Sequence, residues 1–269
     1  MSKRHAAFQL PHSLASGEWH MAADAALLDW ASRGAARLAF RTYAWDRPTL
    51  SLGRSEPFPE GWDGAALARE GIAVVRRPTG GDAVFHWDEL TFSVAASTPG
   101  PWRMTPRRFA NEVAEALADA MRASGVPAER VESGEPRPAT SKPGATPCFA
   151  RTASGEVRAS GYKVAGLASR FTRSGALCHG SVPLTARHRD VARLRENARE
   201  ESTALMRHAR SAGELLGRAP DPRTLGGRLA DAIAARFRTA LEDATFSALG
   251  IEVAASPEIP DSASAAHGF

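Results

Sequence analysis

Residues 76–94 read RRPTGGDAVFHWDELTFSV and combine a strand end, a bare turn and a second apolar strand. A pair of arginines closes one apolar segment, and Gly80-Gly81 then leads into an alternating segment that carries His86. Apolar alternation bounded by a glycine turn is typical of paired strands. Strands joined by so short a turn pair antiparallel, because a parallel pair needs a crossover of about a dozen residues or more. The stretch therefore predicts a largely antiparallel sheet rather than a doubly wound parallel one.

The rest of the chain continues this mixture of strands and helices. We predict strands at 37–45, 48–53, 72–77, 82–86, 90–97, 156–165, 168–173 and 176–184. We predict helices at 17–34, from Thr105 to Gly125, and through most of the chain after about residue 190. The expected fold class is α+β, with a mixed, largely antiparallel β-sheet flanked by helices.

Length and composition indicate one domain over residues 1–250, helical from about 190, followed by a disordered tail at 251–269. With 43% hydrophobic and 24% charged residues, the chain can bury a sizeable core. No apolar run approaches the about 18–20 residues of a membrane span, and the N-terminus lacks the apolar region of a secretory signal. Because the chain has only two cysteines, we expect a cytoplasmic protein with no membrane partner.

The formal net charge is +4, and the distribution of the arginines bears on the kind of partner. They are scattered along the chain rather than grouped in blocks. A nucleic-acid partner is therefore not expected, whereas acidic protein partners fit a mildly basic surface.

The first candidate site is the turn that contains Thr79, Gly80 and Gly81. Glycines let a backbone approach a ligand closely and leave amides free to bind its oxygen atoms. Arg76 and Arg77, at the end of the preceding strand, can bind a carboxylate or phosphate with two parallel hydrogen bonds. A hairpin turn with two solvated arginines fits the same residues, so the turn alone leaves both interpretations open.

The second candidate is Cys148, which follows a segment rich in Pro, Gly, Ser and Thr at 133–147. That composition predicts a loop. A nucleophilic thiol needs access and a lowered pKa, which a nearby cation supplies, and Lys163 in GYKVAG is such a cation. A buried spectator thiol is the other interpretation. For His86 and His179, structural and catalytic roles both stay open.

The order of these motifs resembles that of the lipoate-protein ligase and octanoyltransferase family. RRPTGGDAVFH is followed about eighty residues later by GYKVAG and then by LCHGSV. EWHMAADAALLDW is similar to the family's opening helix, and TYAWDRPTLSLGRSE is similar to its first strand pair. The resemblance covers residues 15–240. It implies the fold that this family shares with biotin protein ligases and, more distantly, class II aminoacyl-tRNA synthetases.

The resemblance also implies a site. The TGG turn and the strand after it would wall a tunnel for a medium-length acyl chain. Lys163 matches the motif lysine that contacts the acyl carbonyl, and PCFA resembles the segment with the acyl-accepting cysteine of ligase-like octanoyltransferases, so Lys163 and Cys148 are the expected catalytic residues. The expected substrate-binding residues are Arg76, Arg77, Thr79, Gly80, Gly81, Ala83, His86, Gly166, His179 and Gly180. No metal site is expected.

The function implied by the resemblance is transfer of octanoate from acyl carrier protein to a protein lysine through a thioester on Cys148, without a cofactor. HWDELTFSV is closer to the transferase form of the family than to the ligase form. The acceptor would be a lipoyl domain or the glycine-cleavage H protein. The main alternative is an ATP-dependent lipoate-protein ligase that forms lipoyl-AMP with Mg²⁺. A third hypothesis is a non-catalytic acyl-binding scaffold.

Several residues depart from the family pattern. Asp82 follows the TGG turn where Arg or Gly is usual, and His20 and Ala25 stand in the opening helix where Asn and Glu are usual. Cys178 replaces a residue that is usually Gln. Because these changes touch the expected pocket wall, the sequence leaves the preferred acyl chain length open.

Overall fold

The computed structural model describes residues 6–34, 36–99, 104–132, 148–150, 152–196 and 198–253. The loop predicted at 133–147 lies outside these ranges, as does the predicted tail from residue 254 onward. Ile251 is buried against Leu27 and Leu28, one residue beyond the predicted end of the domain. None of the helices in the described part of the chain is long and apolar enough to cross a bilayer.

Twelve strands are present in the described ranges. They are β1 (Ala6–Gln9), β2 (Ser13–Ala15), β3 (Arg37–Trp45), β4 (Thr49–Leu52), β5 (Ala73–Arg76), β6 (Val84–His86), β7 (Glu89–Ser97), β8 (Ala128–Arg130), β9 (Val157–Ala159), β10 (Tyr162–Phe171), β11 (Gly175–Pro183) and β12 (Glu242–Asp243). The α-helices are α1 (Gly17–Ser32), α2 (Gly64–Arg69), α3 (Pro106–Ala123), α4 (Ala198–His208), α5 (Ala212–Leu216) and α6 (Pro222–Phe237). Two 3₁₀ segments cover Cys148–Ala150 and Ala186–Leu194.

The strands form one large and one small sheet. The large sheet has the order β12-β1-β3-β7-β11-β10-β9-β8, with β2 also paired to β3, and the small sheet has the order β5-β4-β6. The central neighbours β3, β7, β11 and β10 pair antiparallel, whereas β1, β2 and β12 join by parallel pairing. The predicted class, α+β with a mixed and largely antiparallel sheet flanked by helices, is confirmed.

The two faces of the large sheet have different roles. Helices α3 and α6 pack on one face, where Phe109, Leu117 and Ile233 join the main hydrophobic core. On the other face α1 covers β7 and β11, with Leu27 packed against Leu177. Since side chains alternate along a strand, the residues that face α1 near the strand centres form the walls of the site described below.

The hairpin around Lys163 differs from the prediction. Strands were predicted at 156–165 and 168–173, but β10 runs without a break from Tyr162 to Phe171 and pairs with the short β9. Ser160 and Gly161 form the turn between them, with φ of 50° and 83°. A two-residue hairpin turn of this kind requires positive φ at both positions. This Ser-Gly pair lies inside the strand predicted at 156–165.

Candidate active site

A cavity of about 170 Å³ lies between α1, the large sheet, the small sheet and the Cys148–Ala150 segment. Its volume slightly exceeds the about 150 Å³ of an apolar protein cavity that binds benzene, so it suits a small organic group. Of the predicted site residues, those that line it are Arg77, Gly81, His86, Cys148, Lys163, Gly166, His179 and Gly180. Arg76, Thr79, Gly80 and Ala83 are not among the residues that line it.

The structure brings the two predicted catalytic residues together. The Nζ atom of Lys163, near the start of β10, lies 3.4 Å from the Sγ atom of Cys148 and donates to the Cys148 carbonyl oxygen at 2.7 Å. The backbone amide of Cys148 donates to the Ala83 carbonyl oxygen at 3.1 Å. Ala83 thus anchors the cysteine, although it was predicted to touch substrate. Gly166 leaves open the space beside Sγ that a larger side chain would occupy.

Glu156 completes this group, although it is not among the predicted site residues. Its Oε1 atom accepts a hydrogen bond from Lys163 Nζ at 2.6 Å, and both side chains are buried. Glu156 immediately precedes β9, so the Ser160-Gly161 turn folds it back toward Lys163. A turn predicted at Ser160-Gly161 would have indicated from the sequence that Glu156 lies near Lys163.

Burial and the nearest opposite charge shift the pKa values of Cys148 and Lys163 in opposite directions. Burial raises the pKa of the Cys148 thiol, the nearby Lys163 ammonium lowers it, and the net result lies above the ordinary value for cysteine. Burial lowers the pKa of Lys163, but Cys148 and Glu156 raise it, with a net increase. Lys163 therefore carries a positive charge, and Cys148 is a thiol at rest whose ionisation the lysine favours.

Arg77 is occupied in shaping the TGG turn. Its Nε and Nη2 atoms donate to the Gly80 carbonyl oxygen at 3.2 and 2.9 Å, and Nη2 also donates to the Asp82 carbonyl oxygen at 2.8 Å. Its Nη1 atom donates to the carbonyl oxygen and hydroxyl of Ser51 at 2.8 and 3.3 Å. These contacts use all five N–H groups of a guanidinium. Arg77 lines the cavity, but its guanidinium donors are bonded to other protein atoms.

Arg76 lies outside the cavity, on the exposed side of β5. It donates to the carbonyl oxygens of Gly53 and Glu56 at 2.9 and 2.7 Å. These contacts secure the segment after β4, which packs against the TGG turn. A Cβ atom on Gly53 would meet the Gly81 carbonyl oxygen at 1.9 Å, so this contact requires glycine. Arg76 therefore supports the turn from behind.

His179 belongs to a buried chain of hydrogen bonds that fixes its protonation. Its Nδ1 atom lies 2.9 Å from Asp24 Oδ2, and its Nε2 atom lies 2.7 Å from Thr79 Oγ1. Burial lowers the pKa of His179, so the ring is neutral. An ionised Asp24 can only accept, hence Nδ1–H donates to Asp24 and Nε2 accepts from Thr79. His179 thus ties the TGG turn to α1.

Asp24 and Arg41 anchor this chain of hydrogen bonds. Arg41 Nη2 lies 2.6 Å from Asp24 Oδ1, and both side chains are fully buried. Burial raises the pKa of Asp24, but Arg41 and His179 hold it well below its usual value. Arg41 also donates to His20 Nδ1 at 3.3 Å, and burial together with Arg41 lowers the pKa of His20 to about 3. His20 is therefore neutral. It is fully buried and stacks on Tyr43, but it does not line the cavity, so the expectation that this residue touches the pocket wall is not met.

His86 is held by a second carboxylate. Its Nδ1 atom lies 2.6 Å from Glu89 Oε1, and its Nε2 atom lies 2.7 Å from Ser51 Oγ. Burial raises the pKa of Glu89, but His86 and the hydroxyl groups of Ser181 and Thr91 hold it below its usual value. The His86 ring stacks on the indole of Trp45, with centroids 4.1 Å apart. Both ring nitrogens of His86 are thus hydrogen-bonded to other side chains.

The central strands bring these side chains onto one face. Their antiparallel register pairs Tyr43, Thr91, Ser181 and Gly166 in one row and Arg41, Ser93, His179 and Ala168 in the next. Gly180 points to the opposite face, where a Cβ atom would come within 2.5 Å of the Phe92 ring. Cys178 shares that opposite face, is fully buried, and is not bonded to Cys148.

Comparisons with known proteins identify similar sequences. The family described as "Lipoyl protein ligase A/B catalytic domain" matches residues 16–233. A protein of Exiguobacterium named octanoyltransferase LipM is 36% identical over 173 residues, which are 62% of this chain and 61% of that protein. Another of that name from Geobacillus kaustophilus is 34% identical over 176 residues, with the same coverage. The matched region thus spans about three fifths of the length of these relatives.

Two solved structures of lipoate ligases share this fold. A bipartite lipoate protein ligase of Thermoplasma acidophilum, described together with its E2 lipoyl domain, superposes with a TM-score of 0.70 and 17% identity, covering 90% of this chain and 88% of that one. A lipoate-protein ligase A bound with ATP gives a TM-score of 0.70 and 18% identity, covering 89% of each chain. At this identity the likeness shows the fold.

Proposed function

Because this chain belongs to the lipoyl protein ligase A/B catalytic domain family, we propose that it transfers an octanoyl group from acyl carrier protein to a lysine of a lipoyl domain or of the glycine-cleavage H protein. The observation that carries the proposal is the placement of Cys148 Sγ within 3.4 Å of the Lys163 ammonium at a largely apolar cavity. The relatives named octanoyltransferase LipM support the same choice.

In the first step the Cys148 thiolate attacks the thioester carbonyl of the octanoylated carrier. A new S–C bond forms, the carbonyl electrons move onto oxygen, and Lys163 lies where its ammonium can stabilise that negative charge. The intermediate then expels the carrier thiolate, which takes up the proton that Cys148 lost. One thioester replaces another, so the step needs no ATP. Covalent catalysis of this kind divides one difficult transfer into two easier ones.

In the second step the neutral ε-amine of the acceptor lysine attacks the Cys148 thioester. The N–C bond forms, the Cys148 thiolate leaves, and the proton from the nitrogen passes to that thiolate or to solvent. An amide replaces a thioester, so the step runs downhill. Preorganised charge at such an oxyanion contributes about 10²–10³ in rate, and Lys163 is the group placed to supply it in both steps.

The cavity walls suit the hydrocarbon part of the substrate. The polar groups of His86, His179 and Trp45 are bonded to other protein atoms. These donors and acceptors are therefore satisfied within the protein rather than left free toward the acyl chain. Met21 and Val84 add apolar surface.

The partners we propose are acidic proteins, because a chain with a net charge of +4 attracts them over distance.

The test is ATP-free labelling of a lipoyl domain, followed by mass spectrometry, with octanoyl-acyl carrier protein as donor. Wild-type protein and Cys178→Ala should label the acceptor, whereas Cys148→Ser should not. Cys178→Ala is the matched control, because Cys178 is buried on the opposite face of the sheet. Labelling that requires lipoate and Mg-ATP and survives Cys148→Ser would identify a ligase. Acyl binding without any labelling would identify a scaffold.

A further inference from the structure

We propose that Glu156 is a positioning residue that keeps Lys163 charged and directed at the acyl carbonyl after Cys148 has been acylated. The inference rests on the proposed transferase function. It assigns to Glu156 a role in the second transfer that the first transfer does not need.

The Glu156 carboxylate is fixed in place by two different contacts. Oε1 accepts from Lys163 Nζ at 2.6 Å, and Oε2 accepts from the Ala153 backbone amide at 2.7 Å. The Glu156 carbonyl oxygen also accepts from the Val131 amide at 2.8 Å. The side chains of Glu156 and Lys163 are only 8% and 1% exposed. Solvent therefore screens this ion pair poorly, and the Ala153 amide holds the carboxylate in place.

The charge balance around Lys163 changes during the reaction. In the free enzyme the ammonium faces Glu156 and, once the thiol ionises, the Cys148 thiolate. Acylation converts the thiolate into a neutral thioester and removes one of the two negative charges. A buried ammonium without compensation loses its proton readily, because burial disfavours the charged form. Glu156 is a carboxylate bonded to Lys163, and its negative charge remains beside the ammonium in the acyl-enzyme.

The same carboxylate has the opposite effect on the first transfer. Its negative charge raises the pKa of Cys148, as does that of Asp82, whereas Lys163 and Arg77 lower it. Replacing Glu156 with glutamine should therefore make Cys148 easier to ionise while making the acyl-enzyme poorer at aminolysis. Opposite effects on two half-reactions are a signature that a loss of folding would not produce.

The experiment compares wild type, Glu156→Gln and the matched control Glu129→Gln. Glu129 forms an exposed ion pair with Arg158 on the neighbouring strand, with side chains 60% and 47% exposed. Rapid-quench intact-mass measurements follow acylation by octanoyl-acyl carrier protein and, separately, discharge of the acyl-enzyme to a lipoyl domain. Alkylation of Cys148 by iodoacetamide is measured as a function of pH on the same proteins. Melting temperatures verify that each variant is folded.

For Glu156→Gln we expect acylation at the wild-type rate or faster, alkylation that begins at lower pH, and discharge slowed by about 10²-fold, the usual effect of losing one oxyanion-stabilising charge. The acyl-enzyme should accumulate, and the ratio of variant to wild-type discharge should fall as pH rises and Lys163 loses its proton. Glu129→Gln should match wild type. Glu156→Asp, which keeps the charge, should discharge faster than Glu156→Gln.

Three results would overturn the inference. They are equal slowing of both steps in Glu156→Gln, discharge at the wild-type rate, and Glu156→Asp no faster than Glu156→Gln while both remain folded. A wild-type protein that never forms the adduct would refute the proposed function, and this inference with it. An adduct on wild type together with any of the three results would refute the inference alone.

Discussion

Replacement of Asp24 by asparagine should be among the most destabilising single changes to the described fold. Asp24 is fully buried and accepts hydrogen bonds from Arg41 at 2.6 and 3.1 Å, from Tyr43 at 3.3 Å and from His179 at 2.9 Å. Breaking a buried ion pair by removing one partner costs about 3–5 kcal/mol, because the other charge is left uncompensated. We therefore expect the free energy of unfolding to fall by about 3–5 kcal/mol and the melting temperature by about 6–20 °C.

The effect should depend on pH with a definite sign. Because Arg41 and His179 hold the pKa of Asp24 well below its usual value, the stabilisation is fully present above the unfolded pKa of about 4. It is lost as pH falls from there toward the folded pKa. The gap between wild type and Asp24→Asn should therefore be constant from about pH 5 to 7 and narrow in more acidic solution.

Urea unfolding monitored by tryptophan fluorescence measures both effects. The matched control is Asp29→Asn on the same helix, since Asp29 forms an exposed ion pair with Arg33. An exposed pair contributes about 0–1 kcal/mol, so the control should unfold almost as wild type does. A loss below about 1 kcal/mol in Asp24→Asn, or a gap that widens as the pH falls toward 4, would refute the electrostatic argument.

Three further predictions concern the site. Lys163→Met should lower acyl transfer by about 10²–10³-fold and move the alkylation of Cys148 to higher pH, because the ammonium favours the thiolate; unchanged alkylation would show that the two groups are not coupled. Arg77→Lys should raise the KM for the acyl donor, because three ammonium N–H groups cannot replace five in a planar fork; an unchanged KM would separate Arg77 from the shape of the turn. Gly180→Ala should cost about 1–3 kcal/mol, since the new methyl group would overlap the Phe92 ring, and an unchanged urea midpoint would contradict that overlap.

Much of the fold could be predicted from local patterns. Alternating strands joined by short turns indicated antiparallel pairing, which the central strands show. The two strands on either side of the Gly80-Gly81 turn, β5 and β6, do not pair with each other, because β4 lies between them. The N-cap at Thr105 and the stop at Gly125 bounded α3 correctly, because capping is a local property. The parallel pairing of β1 and β12 joins segments more than two hundred residues apart, and no local pattern specifies such a pair.

The site was predicted only in part, because local motifs indicate some of its residues whereas others are defined by long-range contacts. The resemblance of motifs identified Cys148 and Lys163, and the structure places them in contact. Asp24 was not selected, because its partner His179 is 155 residues away in the sequence. Arg77 was expected to bind substrate, but a sequence does not show that its donors are used by the turn and by Ser51 on β4. How hydrogen bonds are distributed among residues is a tertiary property.

The central claim is that Cys148 carries the acyl group as a thioester. The most direct measurement is the intact mass of the protein, with peptide mapping to locate any adduct. Wild type and Cys148→Ser would each be mixed with octanoyl-acyl carrier protein without ATP and quenched in acid. Their masses would be measured by mass spectrometry before and after treatment with hydroxylamine. The account predicts one octanoyl adduct on wild type, located on Cys148, removed by hydroxylamine and absent from Cys148→Ser. An adduct on another residue, or none while the acceptor becomes octanoylated, would contradict it.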